Sequence, residues 1–274
     1  MARYAAPSKI GHAPNARKHS MRKVLIIGIG PGHPDYLTVQ AIEALNRVDV
    51  FVIPDKGEEK ADLQRLRLDI CERYIKGRSY RLVQFKTPER AKDPADYKRA
   101  VDDWHARIER DYEQLLGREV GEGECLGFLI WGDPTLYDST LRIVERIKAH
   151  RAVAFDYEVI PGISSIQVLA ARHRVPLNTI GEAVRITTGR KLAEQPTVGA
   201  DSVVVMLDGE QSFKKVDAEG IDIYWGAYVG TADETLVSGR LVDVAGKIEA
   251  ERARARREKG WVMDTYLLRR SGGV

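Results

Sequence analysis

Apolar runs rich in β-branched residues, KVLIIGIG (23–30), DVFVIP (49–54), GFLIWGD (127–133) and YEVIPG (157–162), alternate with helical stretches. Those stretches are LTVQAIEALNRV (37–48), STLRIVERIKAH (139–150) and SIQVLAARH (165–173). Strand, helix, strand in this rhythm predicts βαβ units and a parallel sheet, because a parallel connection needs a crossover and a helix supplies it. The chain has 274 residues, long for one compact domain and suited to two domains sharing a cleft. A second group of runs follows: AVRITTGR (183–190), SVVVMLDG (202–209), IDIYWGAYVG (221–230), TLVSGRLVDVAGKIEAERARARREKG (235–260) and WVMDTYLLRR (261–270). Its strands are separated by fewer helices, which predicts a mixed sheet with its own core.

The expectation is therefore two α/β domains with a cleft between them. Residues 21–176 form a mostly parallel N-terminal domain, Pro176 marks the boundary, and residues 177–274 form a mixed-sheet C-terminal domain. Between them in character lies a charged region, Lys56 to Glu119, mostly helical in pattern. Ala100, Trp104, Ile108, Tyr112 and Leu115 recur there at helical spacing. It reads as a cover for the sheet, with a wall or lid over a bound substrate as the alternative.

The net charge of +3 is concentrated at one end. Residues 1–20 carry Arg3, Lys9, Arg17 and Lys18 and no acid, leaving 39 basic against 40 acidic residues from Met21 onward. That stretch has neither an apolar core nor helical periodicity and reads as a disordered extension, with Met21 a candidate start. A near-neutral body speaks against a nucleic-acid face, and ERARARREK mixes signs as a solvated helix does. No apolar run approaches the ~20 residues of a membrane span. Cys71 and Cys125 form no CxxC pair and the histidines no HxxxH or HExxH, so no disulfide framework or metal site is expected, and a cytoplasmic setting fits.

GIGPGHP (28–34) follows the first strand and invites comparison with a dinucleotide loop. Gly28 and Gly30 fit G-x-G-x-x-G, but the third glycine position holds His33, and Pro31 removes a backbone donor a phosphate loop would use. Asp55 is the one residue that imitates the ribose acid of such a site. WGDPTLY (131–137) and PGISS (161–165) end later strands in the same manner. Loops at the carboxyl ends of parallel strands gather at one edge, so three special loops imply one pocket, with Gly30 and Gly32 free to adopt positive φ around Pro31.

GxGPG, GDPxxY and PGISS in this order and spacing resemble the tetrapyrrole methylases, and the likeness extends over residues 21–270. The resemblance implies methyl transfer from S-adenosylmethionine to a carbon of a corrin or porphyrin precursor, with S-adenosylhomocysteine as product. IPDKGEEKADLQRLRLDICERY, AVDDWHARIERDYE and GWVMDTYLLRR carry a further likeness, to members that methylate C-1 of precorrin-5 and release acetate. By the same resemblance the cofactor lies between the domains, against Pro31, Trp131, Gly132, Asp133, Leu136, Tyr137, Ser164 and Ser165. Met206 or Leu207 and the segment from Tyr228 to Gly230 face it from the second domain. Gly30 and Gly32 lie beneath the macrocycle, and family members are often homodimers.

Many members carry an acid directly after the glycine loop; this chain has His33 there and Asp35 two residues on. His33 is an acid–base candidate or a helix cap. Loss of acetate requires water at a carbonyl and a donor for the oxyanion, for which His33, Asp35, Tyr36 and Asp264 are candidates. A substrate rich in carboxylates calls for arginine, and Arg65, Arg67, Arg185 and Arg190 are candidate contacts, each with a surface ion pair as its alternative. A carrier that binds nucleotide or tetrapyrrole without turnover is the competing class of function.

Overall fold

The computed structural model describes residues 21–55, 61–88, 97–199 and 202–272; the extension expected over residues 1–20 lies outside them. The chain runs β1 (Arg22–Gly28), α1 (Val39–Leu45), β2 (Val50–Asp55), α2 (Ala61–Tyr74), β3 (Arg81–Lys86), α3 (Tyr97–Glu119), β4 (Cys125–Ile130), α4 (Thr140–His150) and β5 (Phe155–Ile160). α5 (Ser165–His173), β6 (Val184–Thr188), α6 (Gly189–Glu194), β7 (Ser202–Met206), β8 (Ile221–Ala227), β9 (Thr235–Arg240), α7 (Leu241–Lys259) and β10 (Asp264–Arg270) follow.

The first sheet has strand order β3-β2-β4-β1-β5 and all its pairs are parallel. Val24 to Ile27 are fully buried because both faces of β1 are covered. Side chains alternate across a strand, so Val24 and Ile26 enter a core with α3 and α4, while Leu25 and Ile27 enter one with α1 and α2. The order places β1 beside β4 at the point where the chain reverses its direction of progress across the sheet. At such a point the loops leave a crevice outside the carboxyl ends of the strands.

The second sheet has order β6-β7-β10-β8-β9 and is mixed: β6 and β7 pair in parallel and the remaining pairs are antiparallel. Trp225 and Tyr266 are its largest buried side chains, and α7 covers that core with Leu241, Ile248 and Ala255. The opposite face is covered by α5, whose Ile166, Val168 and Leu169 meet Val204, Val229 and Leu267. α5 precedes Pro176, the expected boundary, yet packs against the second sheet.

β3 is a strand in the region read as mostly helical. Only Phe85 of its six residues is buried, so as an edge strand it lacks the apolar run of its neighbours. α2 and α3 bear out the helical pattern around it, with Ile108, Tyr112 and Leu115 on the inner face. Cys71 and Cys125 are buried free thiols, each pushed up to about 12 chiefly by burial. Among the described residues no helix is long and apolar enough to cross a membrane.

The edge of the first sheet is fastened by Arg81, which donates to both oxygens of Glu124 at 2.9 and 2.8 Å, while Gly121 N donates to Glu124 Oε2 at 2.7 Å. The bond from Arg81, then that from Gly121, holds the Glu124 carboxyl down at about 2. Its contribution is fully present above the ordinary glutamate pKa of 4.5 and is lost as pH falls toward about 2. Glu124→Gln is expected to cost about 1 kcal/mol at neutral pH after solvent screening, and to flatten the acid limb of a plot of Tm against pH between those values.

Candidate functional site

Three loops at the carboxyl edge of the first sheet meet backbone to backbone. Gly132 N donates to Gly30 O at 2.9 Å and Gly30 N donates to Gly132 O at 3.3 Å, an antiparallel bridge between the loops after β4 and β1. Gly30 has φ of 76°, so the turn into Pro31 uses the left-handed region that glycine enters without strain. Gly32 stays outside that region; its lack of a side chain serves close approach instead. A Cβ on Gly28 would lie 2.6 Å from Gly162 N, and one on Gly162 would lie 2.1 Å from Gly132 O. Asp133 completes the junction: Oδ2 accepts from Gly162 N at 2.8 Å and Oδ1 from Thr135 N at 2.8 Å. Ser164 caps α5, its Oγ accepting from Ile166 N at 3.2 Å while Gln167 Oε1 accepts from Ser164 N at 3.0 Å.

The second domain closes on this edge. A Cβ on Gly32 would lie 2.8 Å from Gly230 O, and one on Gly230 would lie 3.3 Å from Pro31. Gly230 N donates to Glu234 Oε2 at 2.9 Å, and Arg172 on α5 donates to Glu234 Oε1 at 2.6 Å.

A cleft remains between the domains. Pro31, Trp131, Gly132, Asp133, Leu136, Ser164 and Ser165 line one side, and Met206 and Leu207 the other. The structure thus brings together most of the residues expected around a cofactor. Tyr137 turns instead toward a neighbouring groove. Tyr228 is buried, its hydroxyl donating to Trp261 O, and Gly230 packs behind Pro31; from that segment Val229 lines the cleft. Met263, Asp264 and Thr265 also line it. They arrive because β10 inserts between β7 and β8, a pairing that periodicity does not reveal.

Both carboxylates lining the cleft are committed to structure. Asp133 holds the loops together as described. Asp264 receives Arg252 Nε at 2.8 Å and Trp225 Nε1 at 2.8 Å on Oδ2, and Arg252 Nη2 at 3.2 Å on Oδ1. Burial pushes the Asp264 carboxyl above the usual carboxylate range, and Arg252 and Trp225 pull it back. Arg252 also donates to Asp208 O at 2.7 Å, which anchors the turn carrying Met206 and Leu207 into the cleft. Leu207 has φ of 53° and is 66% exposed; Tyr137 has φ of 53°. This conformation is strained for a non-glycine residue, and such strain gathers at functional sites.

His33 and Asp35 stand outside the cleft. His33 caps the 3-10 turn Pro34–Tyr36, its Nδ1 accepting from Asp35 N at 3.2 Å, and Asp35 pairs with Arg73 on α2 at 2.6 Å. Tyr36 is half-buried behind the glycine loop, touching the positions of Gly30 and Gly230. In this structure the residues expected as an acid–base cluster at 33–36 also support the loop, His33 as a cap and Asp35 through Arg73.

Beside the cleft runs a larger groove at the carboxyl ends of β2, β3 and β4, walled by α3 and α4. Trp131 and Leu207 line both cavities. Phe85, Trp104, Tyr112 and Phe128 make its wall aromatic, with ring centroids 4.8 Å apart for Phe85 and Tyr112 and 4.7 Å for Tyr112 and Phe128. The charged region thus supplies a wall as well as a cover. Of the four candidate arginines, Arg67 lines this groove, whereas Arg65 and Arg190 are exposed elsewhere and Arg185 donates to Thr197 O.

A profile of the Tetrapyrrole (Corrin/Porphyrin) Methylases matches residues 23–245. The chain is 54% identical over 250 residues to a precorrin-6A synthase [deacetylating] from Sinorhizobium sp, covering 91% of this chain and 96% of that one. Among solved structures, a cobalamin synthesis related protein (CobF) from Corynebacterium diphtheriae superposes with a TM-score of 0.76 at 37% identity, covering 91% of this chain and 99% of that one. The uroporphyrin-III C-methyl transferase from Thermus thermophilus, complexed with S-adenyl homocysteine, shares the fold, with a TM-score of 0.52 at 18% identity over 90% of this chain and 92% of its own.

Since a Cβ on Gly162 would meet only backbone atoms, Gly162→Ala has no side-chain motion to relieve it. Calorimetry should show a loss of about 2 kcal/mol or more, and titration should show loss of S-adenosylhomocysteine binding, with the two effects appearing together.

Proposed function

The chain belongs to the tetrapyrrole (corrin/porphyrin) methylases, and from that membership we propose that it methylates C-1 of precorrin-5 with release of acetate, giving precorrin-6A. The donor in this reading is S-adenosylmethionine, and S-adenosylhomocysteine is the product. The observation that carries the reading is the junction of two cavities: a largely apolar cleft between the domains opens through Trp131 and Leu207 into a wider aromatic groove. The relative named for the deacetylating reaction supports the choice within the family.

The donor, when bound, supplies a methyl group already activated on a sulfonium. The chain has then to hold two reactants in line and keep water from the sulfonium. The cleft is suited to both roles, because Pro31, Leu136, Met206 and Val229 give it apolar walls and both of its carboxylates are occupied by hydrogen bonds. Water adding to the acetyl carbonyl expels acetate and leaves the bonding electron pair on the ring carbon, which thereby becomes the nucleophile. Both protons of that water end in solvent or on groups lining the groove. Deacetylation in this order removes the need for a carboxylate base at the methyl-transfer step.

Supplying the purified protein with enzymatically generated precorrin-5 and S-adenosylmethionine tests the reading. One methyl gained by the macrocycle per acetate released is expected. Methylation without acetate would move the activity to another precorrin methylase, and tight binding of both ligands without either product would make the protein a carrier.

A further inference from the structure

Two arginines in this protein are equally buried, at 7% exposure, and their surroundings differ. Arg252 has Asp264 on two of its nitrogens. Arg67, on α2, donates Nε to Leu129 O at 3.1 Å and Nη1 to Leu63 O at 2.8 Å, and among the described residues no carboxylate forms an ion pair with it. A guanidinium carries five N–H donors, so the two carbonyls leave part of the fork unanswered. That part borders the aromatic groove.

A buried cation without a directly paired carboxylate is unfavourable, and a ligand carboxylate can supply that partner. Burial pushes the Arg67 guanidinium down to about 10, with Tyr112 and Asp138 opposing the shift in part. Asp55 and Asp138 line the groove as acids, and Lys86, His105 and Arg142 as bases. Asp138 is already engaged, its Oδ1 accepting from Thr140 N at 2.7 Å. The groove therefore offers aromatic and apolar walls, charged side chains of both signs and one buried guanidinium with donors to spare.

We propose that Arg67 is an anion site for one carboxylate arm of a flat macrocycle, and that it fixes the orientation in which the ring enters the groove. The inference rests on reading that groove as the substrate site. The fork fits this role because a guanidinium grips a carboxylate through two parallel bonds, which sets direction as well as strength. Its anchor also reaches toward the chemistry: Leu129 stands two residues before Trp131, about 7 Å along the strand, and Trp131 lines the cofactor cleft. An arm held on Arg67 thus places the ring edge at the mouth shared by the two cavities.

The test is a fluorescence titration with the polycarboxylate porphyrin uroporphyrin III and with its fully esterified, uncharged form. Wild type should bind the acid; Arg67→Met should bind it about tenfold more weakly, and Arg67→Lys, which keeps the charge and loses the fork, should recover only part of that loss. Binding of the ester should be the same in wild type and Arg67→Met. Affinity for S-adenosylhomocysteine should stay within about twofold in both variants, and the Tm of Arg67→Met should equal or exceed that of wild type, because an unpaired buried cation has been removed. Equal binding of the acid by wild type and Arg67→Met would overturn the inference alone. A fall in Tm together with loss of S-adenosylhomocysteine binding would make Arg67 structural and also overturn it. Failure of wild type to bind the acid would remove the macrocycle reading of the groove, and the anion site with it.

Discussion

The contact of three loops through their backbones is the constraint on which the rest of the molecule depends. Gly28, Gly132 and Gly162 approach so closely that no side chain fits between them, and the Asp133 carboxylate ties the third loop to the second. This packing draws the ends of β1, β4 and β5 into one rigid edge. Pro31 and the turn supported by Tyr36 then project toward the second domain, where Thr231 and Gly230 receive them. The cleft is the space left between this edge, fixed by main chain and Asp133, and a second-domain surface fixed by buried side-chain hydrogen bonds. Its shape is thereby set before any ligand arrives, which is the requirement for aligning a displacement reaction.

Charge is handled differently on the two sides of that space. On the second domain Asp264, Arg252 and Trp225 satisfy one another, and Asp208 is held by Arg252, Ser212 and Tyr266. These groups serve position: they present Met206 and Leu207 to the cleft. On the first domain Arg67 is buried to the same degree and is answered only by carbonyls among the described residues. A closed polar network stabilises a surface, whereas an open one is available to a ligand. In the proposed reading the second domain supplies a wall for the methyl donor, and the first supplies both the loops and the groove for the acceptor.

Much of this was legible in the residues. Runs such as Val24 to Ile27 announce strands buried on both faces, and glycine with proline at their ends announces loops that do not continue into ordinary turns. Other features depend on tertiary context. β3 is an edge strand with one buried side chain, so its pattern is faint. α5 shows its start through the cap at Ser164, but its allegiance to the second sheet depends on where that sheet lies. Met263 to Thr265 reach the cleft only because the last strand inserts between β7 and β8. His33 and Asp35 line neither cavity; His33 caps the turn at Pro34–Tyr36 and Asp35 pairs with Arg73, contacts that the spacing of residues does not reveal. Arg65 and Arg67 are two apart on one helix, on opposite faces, and burial alone distinguishes them.

The most direct test of the account is a crystal structure of the protein with S-adenosylhomocysteine. The ligand should occupy the cleft between the domains, touching Pro31 and the Trp131 to Asp133 loop on one side and Met206, Leu207 and Val229 on the other. Binding on the first domain alone, with the glycine loop wrapped around the nucleotide in the manner of a dinucleotide site, would contradict it.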